Sequence, residues 1–301
     1  MMRVLHFSDV HVQEAFSAMP VGELMGKRLL AAGNLFLVRG RLFKDVPQKL
    51  QALAEFARSE QPDLVICTGD YTAVGSEAEY AAARRAMEPF LKAPLGFCTV
   101  PGNHDLYLSD TLRERRFERH FGDLLQTELP ELAVDGLFPY VRFVGDQLAV
   151  VGINSAKPNP NPFASSGYVS AAQLTALEHI LRHPKLADRW TFVITHYGFL
   201  REDGTPDKPK HGLDNANEVL QLCTRPRVAL LHGHIHHNFS HAPTAEHPWL
   251  FCAGSATHRG REGLWIYEFE GARVRAIPGQ WDRDRYKLEH SRSVILSAEG
   301  P

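Results

Sequence analysis

The chain is poor in cysteine. It has four in 301 residues, and Cys67, Cys98, Cys223 and Cys252 each lie in an apolar stretch such as LVICTG or WLFCAG. Thiols so placed read as buried strand residues, and neither a zinc ribbon nor a disulfide framework is expected. No run of about 18 apolar residues occurs, which excludes an ordinary membrane-spanning helix. The opening MMRVLHFSDVH enters a strand at once, with no room for a signal peptide, so the expected location is cytoplasmic. Net charge is also nearly missing: 33 Lys and Arg against 35 Asp and Glu leave a formal −2. No global basic footprint points to nucleic acid, and no nucleic-acid partner is expected. Repeats, low-complexity tracts and polar linkers are absent too, which favours one domain over residues 1–301.

An apolar share of 44% with 23% charged residues suits a globular protein and not a disordered or coiled-coil one. The unusual number is 16 His, several beside Asp, Asn or Gly. Histidine is the commonest metal ligand.

Strand and helix signals alternate. Residues 3–7, 63–68 and 96–100 read as strands; Asp45-Val46-Pro47 opens a helix that stops before Pro62, and 76–91 reads as another. Gly145-Asp146 between apolar runs 140–144 and 147–153 signals an antiparallel hairpin. Ser170 begins a further helix, 190–195 and 227–231 read as strands, and 250–252, 264–269 and 273–277 as a closing antiparallel run. Residues 290–301 read as a tail.

Where several of these strands end, the next residues are Asp, Asn or His: Asp9-Val10-His11, Gly69-Asp70, Gly102-Asn103-His104-Asp105, His196, and Gly233-His234-Ile235-His236. In open α/β sheets the carboxyl ends of strands form the ligand crevice, so these segments can converge. A hard or borderline divalent ion wants carboxylate, imidazole and amide oxygen. Asp-x-His and His-x-His let two side chains of an extended segment point the same way. Asp9, His11, Asp70, Asn103, His196, His234 and His236 are too many for one four-coordinate ion and suit two that share a carboxylate. Glycines before Asp70, Asn103 and His234 permit tight backbone turns.

This ordered series resembles the calcineurin-like metallophosphoesterase superfamily, whose motifs are Asp-x-His, Gly-Asp, Gly-Asn-His-Asp/Glu, a lone His and Gly-His-x-His. The resemblance covers residues 9–236. It implies a four-layer α/β/β/α sandwich and a dinuclear site of two divalent metal ions, Mn, Fe or Zn. Asp9, His11 and His236 would hold the first ion, Asn103, His196 and His234 the second, and Asp70 both. A hydroxide between the ions would attack phosphorus in line. His104 would be the general acid, with Asp105 holding its other ring nitrogen. His196-Tyr197-Gly198 departs from members in which a second His or a Pro turn follows the lone His. Loops after that His reach over the site in similar proteins, which makes Lys210 and His211 substrate-contact candidates.

The expected activity is hydrolysis of a small phosphodiester or nucleotide, of the cyclic-nucleotide type. Alternatives are a UDP-2,3-diacylglucosamine-type pyrophosphohydrolase and a non-catalytic binding scaffold. Residues 16–44 interleave apolar residues with Lys27, Arg28, Arg39, Arg41 and Lys44. They read either as a lid with solvated charges or as a contact with an anionic membrane or lipid, peripheral at the inner membrane face. His232 is a candidate supporting residue behind the metal site; His6, His258 and the other histidines outside the motifs read as structural or surface residues.

Overall fold

The computed structural model describes residues 1–14, 43, 45–159, 161 and 164–296. The segment 16–44 therefore lies outside the described residues except for Phe43. Among the described residues no helix is long and apolar enough to cross a membrane.

Two sheets form the centre. The first contains β1 (Met2–Phe7), β2 (Leu64–Cys67), β3 (Phe97–Thr99), β10 (Gly263–Glu270), β11 (Arg273–Asp282) and β12 (Arg285–Leu288) in the order β12-β11-β10-β1-β2-β3, with β13 (Val294–Leu296) also paired to β11. The second runs β4 (Tyr140–Val144), β5 (Leu148–Gly152), β6 (Trp190–Ile194), β7 (Val228–His232), β9 (Trp249–Ala253) and β8 (Asn238–His241). The parallel run β1-β2-β3 of the first sheet has antiparallel strands beyond β1 and ends at β3 as an edge, whereas the run β5-β6-β7-β9 of the second has an antiparallel strand on each side. The parallel strands are buried along nearly their whole length, as strands covered on both faces must be. Aromatic contacts join the sheets: Phe192 of β6 stands 5.0 Å from Tyr267 of β10, and Phe251 of β9 is 5.1 Å from Trp265.

Helices flank the sheets. In α1 (Val46–Glu60) the apolar stripe Val46, Leu50, Leu53 and Phe56 is buried, and Pro47 sits in the first turn, where no N–H is needed. Asp45 precedes it without a capping side-chain bond. The helix α2 (Glu77–Met87) is closed by a capping box between Ser76 and Glu79. It ends at Met87, short of the expected 91, because Pro89 follows; Phe90–Lys92 is a separate single turn. Short helices α3 (Ser109–Arg113) and α4 (Arg116–Phe121) follow β3; α5 (Ala171–Leu181), capped by Ser170, and α6 (Ala216–Cys223) belong to the second sheet's connections.

Two expectations are corrected. The run 250–252 does not join a closing antiparallel meander: β9 lies parallel to β7 in the second sheet, while β10 and β11 complete the first. A buried apolar strand looks the same in either sheet, so the pattern alone does not assign it. Nor is 290–301 wholly a tail, since Val294–Leu296 pairs with 274–276 and buries Leu296.

Two histidines belong to this core. His6 is fully buried, its ring between Thr68 Oγ1 (3.1 Å) and the Tyr267 hydroxyl (3.3 Å). Burial, then the neighbouring His232, pushes its pKa down to about 3, and burial pushes His232 to about 4. Groups held neutral in the fold contribute stability above their ordinary value of 6.5, and it is lost as pH falls from there towards 3–4. In chelator, the urea midpoint is expected to drop between about pH 7 and pH 5. A His6→Gln variant should flatten that dependence by about one proton; an unchanged slope would contradict the neutral buried ring.

Candidate metal centre

The loops after β1, β2, β3, β6 and β7 meet at one place. Their approach is set by backbone pairing that continues past the strands: Asp9 N–H donates to Gly69 O (3.0 Å), His11 N–H to Asp70 O (2.9 Å) and Val12 N–H to Tyr71 O (2.8 Å). Gly102 and Gly233 are required there by close approach and not by turn geometry. A Cβ on Gly102 would stand 2.1 Å from Asp70 Oδ1, and one on Gly233 2.0 Å from Ser8 Oγ.

All seven expected ligands are brought together. His236 Nε2 lies 2.9 Å from Asp9 Oδ1 and 3.2 Å from His11 Nε2. Asn103 Oδ1 lies 3.0 Å from both His196 Nε2 and His234 Nδ1. Asp70 stands between these groups, its Oδ2 3.8 Å from His11 Nε2 and 3.4 Å from His196 Nε2. Five of the seven have left-handed backbone: Asp9 (φ 57°), His11 (48°), Asp70 (58°), His234 (66°) and His236 (56°). Such non-glycine conformations cost about 1–2 kcal/mol each and persist where surrounding contacts impose them, often at functional sites.

The donor chemistry fits cations. Asp9 and Asp70 are buried, and among the described residues their ion-pair partners are histidines alone, with no Lys or Arg. Burial would raise both carboxyls, but His236 and His11 hold Asp9, and His196 and His104 hold Asp70, well below the usual range. In turn, against the effect of its burial, the Asp70 charge lifts His196 to about 9. His234 is pushed down to about 3 by burial and then by His196 and His211, so its ring is a neutral donor. Buried carboxylates supplemented by imidazoles and one amide oxygen form a set that a divalent ion would satisfy, the proton of His196 leaving as the ion takes its place beside Asp70.

The expected role of Asp105 is corrected. Its carboxylate does not hold the His104 ring. One oxygen accepts the N–H groups of Asp70 (2.9 Å) and Gly102 (2.8 Å), the other those of Tyr71 (2.9 Å) and Thr72 (3.1 Å). These converging N–H groups form an anion-binding nest, so Asp105 clamps the Asp70 loop to the Asn103 loop. Burial, then the Asp70 charge, pushes Asp105 up to about 7. His104 instead turns Nδ1 to the Ala73 carbonyl (2.5 Å), and its backbone N–H donates to Asp70 Oδ1 (2.8 Å). A His104 ring nitrogen lies within 4.8 Å of ligand atoms of both His11 and Asp70.

His211 reaches the centre through its carbonyl, which lies 3.0 Å from His234 Nε2; its half-exposed ring pairs with Asp207 at 2.8 Å and sits 4.6 Å from the His234 ring. Lys210 is exposed, with left-handed backbone (φ 65°). His232 is buried, with Nδ1 3.0 Å from the Gly233 carbonyl. Sequence reasoning missed His258, whose Nδ1 lies 2.7 Å from His236 Nδ1. No local motif marks it, since it comes 22 residues after its partner.

A family model described as calcineurin-like phosphoesterase matches residues 2–238. No curated protein sequence matches the chain. Among solved structures it is similar to a dimetal phosphatase from Danio rerio, at 12% identity and TM-score 0.63, with 99% of each chain covered. It is also similar to a purple acid phosphatase from yellow lupin (Lupinus luteus) seeds, at 13% identity and TM-score 0.61; that match covers 98% of this chain and 53% of the lupin one. At such identities both likenesses speak for the fold.

Proposed function

We propose, on the premise that the chain belongs to the calcineurin-like phosphoesterase family, that it hydrolyses a small phosphodiester of the cyclic-nucleotide type. It is a metal-dependent phosphoester hydrolase; the substrate, the choice of Mn, Fe or Zn and the residue roles are the proposal. The observation that carries it is Asp70, a buried carboxylate flanked by His11 on one side and His196 on the other. Asp9, His11 and His236 would hold one cation, Asn103, His196 and His234 a second, and Asp70 both. When bound, such ions act as Lewis acids on a phosphoryl oxygen and make water nucleophilic near neutral pH.

The remaining chemistry belongs to the chain. A carbonyl only accepts, so His104 keeps a proton on Nδ1, facing Ala73. A second proton makes its other nitrogen a donor beside the Asp70–His11 pair, suited to a phosphoryl oxygen or a leaving alkoxide. Asp105 fixes the loops that carry His104 and Asp70 relative to one another. His211, its ring set by Asp207, and Lys210 are proposed as substrate contacts at the rim.

The test compares cyclic AMP and UDP-2,3-diacylglucosamine on Mn²⁺-loaded protein, each with and without chelator. Chelator-sensitive turnover of the cyclic nucleotide is expected. Cleavage of the lipid nucleotide alone would overturn the diester reading and make the apolar, basic segment 16–44 an acyl-chain or membrane contact. Two bound metals with neither substrate cleaved would point to another phosphoester, and a protein that takes up no metal to a binding scaffold.

A further inference from the structure

The four ligand imidazoles differ in what holds them from behind. His11 Nδ1 faces the Thr72 carbonyl (3.4 Å), His196 Nδ1 the Thr68 carbonyl (2.8 Å) and His234 Nε2 the His211 carbonyl (3.0 Å). A carbonyl only accepts, so each of these three rings would keep a proton on the outer nitrogen and offer the inner one's lone pair to a bound cation. His236 breaks the pattern. Its outer Nδ1 faces no carbonyl but Nδ1 of His258, at 2.7 Å, with the rings 5.0 Å apart and nearly perpendicular.

We propose that His258 is the positioning residue of the first metal subsite: its Nδ1 lone pair accepts the Nδ1–H of His236 and leaves His236 Nε2 unprotonated and aimed at the cation. The proposal rests on the two-cation reading above. An imidazole can either donate or accept, so unlike a carbonyl it takes this role with its proton on Nε2, and it must also be held in place. The loop that carries it supplies the second requirement. The backbone N–H of His258 donates to Ser255 Oγ (3.0 Å), and Ser255 Oγ donates to the Asp9 carbonyl (2.8 Å). Thr257 Oγ1 donates to the Val10 carbonyl (2.8 Å), and Ala256 N–H to the Ser8 carbonyl (2.7 Å). Behind them the buried Lys49 donates to the Thr257 carbonyl (3.0 Å) and pairs with Glu262 (2.6 Å). Phe43 packs against both His258 and His11, at 5.0 and 4.9 Å. The 255–258 loop is therefore tied to the segment that carries Asp9 and His11, and His258 holds His236 to the same frame. It lies beyond residue 238, where the family match ends, so the first subsite is completed by a part of the chain outside the shared motifs.

The experiment titrates metal-stripped, full-length protein with Mn²⁺ and follows binding by electron paramagnetic resonance and by competition with a chelating indicator. Wild type should show two sites. His258→Ala and His258→Phe, the second keeping a ring against Phe43 without an acceptor, should each weaken one site by about 10–100-fold and leave the other unchanged. His258→Asn, whose amide oxygen stands as far from Cβ as Nδ1 does, should recover most of that loss. Melting of the metal-free variants reports folding, and a variant that melts far below wild type leaves the decision to the Asn and Phe pair. Phe and Ala variants that bind both ions as tightly as wild type would overturn the proposal while the two-cation reading stands. So would an Asn variant as weak as the Phe variant. Wild type that binds no Mn²⁺ would overturn both.

Discussion

Asp70→Ala is expected to remove bound metal from both subsites and to lower phosphoester turnover by about a thousandfold or more. A metal ion contributes several kcal/mol to stabilising charge in a phosphoryl transition state, and about 1.4 kcal/mol is worth tenfold in rate, so losing the anchor of two ions exceeds three powers of ten. The position explains why no neighbour substitutes. Asp70 Oδ2 is within 4 Å of imidazoles from both halves, and Oδ1 accepts the N–H of His104. Asp70→Asn keeps the shape and the hydrogen bond but halves the buried negative charge of the Asp9–Asp70 pair, so it should fold normally, as judged by melting in chelator, and still lose metal. Elemental analysis after desalting, beside initial rates at saturating Mn²⁺, separates the two effects. An Asp70→Ala protein that retains two metals per chain would refute the shared-ligand role.

Most of this arrangement was legible because metal chemistry constrains residue type and parallel strands constrain place. Once residues 3–7, 63–68 and 96–100 read as buried strands, the polar residues after them had to lie at one edge of a sheet, and the structure puts Asp9, Asp70 and Asn103 there. What was not legible depends on contacts between remote segments. Asp105 sits next to His104 in the chain, and the family resemblance implied that its carboxylate serves that ring; four backbone N–H groups from two loops claim it instead. The left-handed backbone at Asp9, His11, Asp70, His234 and His236 has no compositional signal, because none of these residues is glycine. His258 carries no spacing relation to His236, since the 255–258 loop is tied to residues 8–10 through hydrogen bonds that exist only in the folded chain. The same holds for β9, assigned to the second sheet by its pairing with β7 and not by its apolar pattern.

His104→Ala should leave both metals in place and lower turnover of cyclic AMP by about 10²–10⁴-fold, the range for loss of a positioned general acid or base. The metals stay because the His104 ring is turned outward at Nδ1 to the Ala73 carbonyl, and the group it shares with Asp70 is its backbone N–H, which alanine keeps. A diester with a p-nitrophenolate leaving group tells proton donation from plain charge stabilisation. Such a group departs without a proton, so a true acid is dispensable for it. Turnover of bis-p-nitrophenyl phosphate should then fall much less than that of cyclic AMP in the same variant. An equal loss on both substrates would make His104 a charge-stabilising group for the phosphoryl oxygens, and no loss on either would remove it from the mechanism. His104→Gln sharpens the comparison, because an amide can donate a hydrogen bond to a phosphoryl oxygen but cannot transfer a proton. It should therefore recover part of the rate on the nitrophenyl ester and almost none on cyclic AMP.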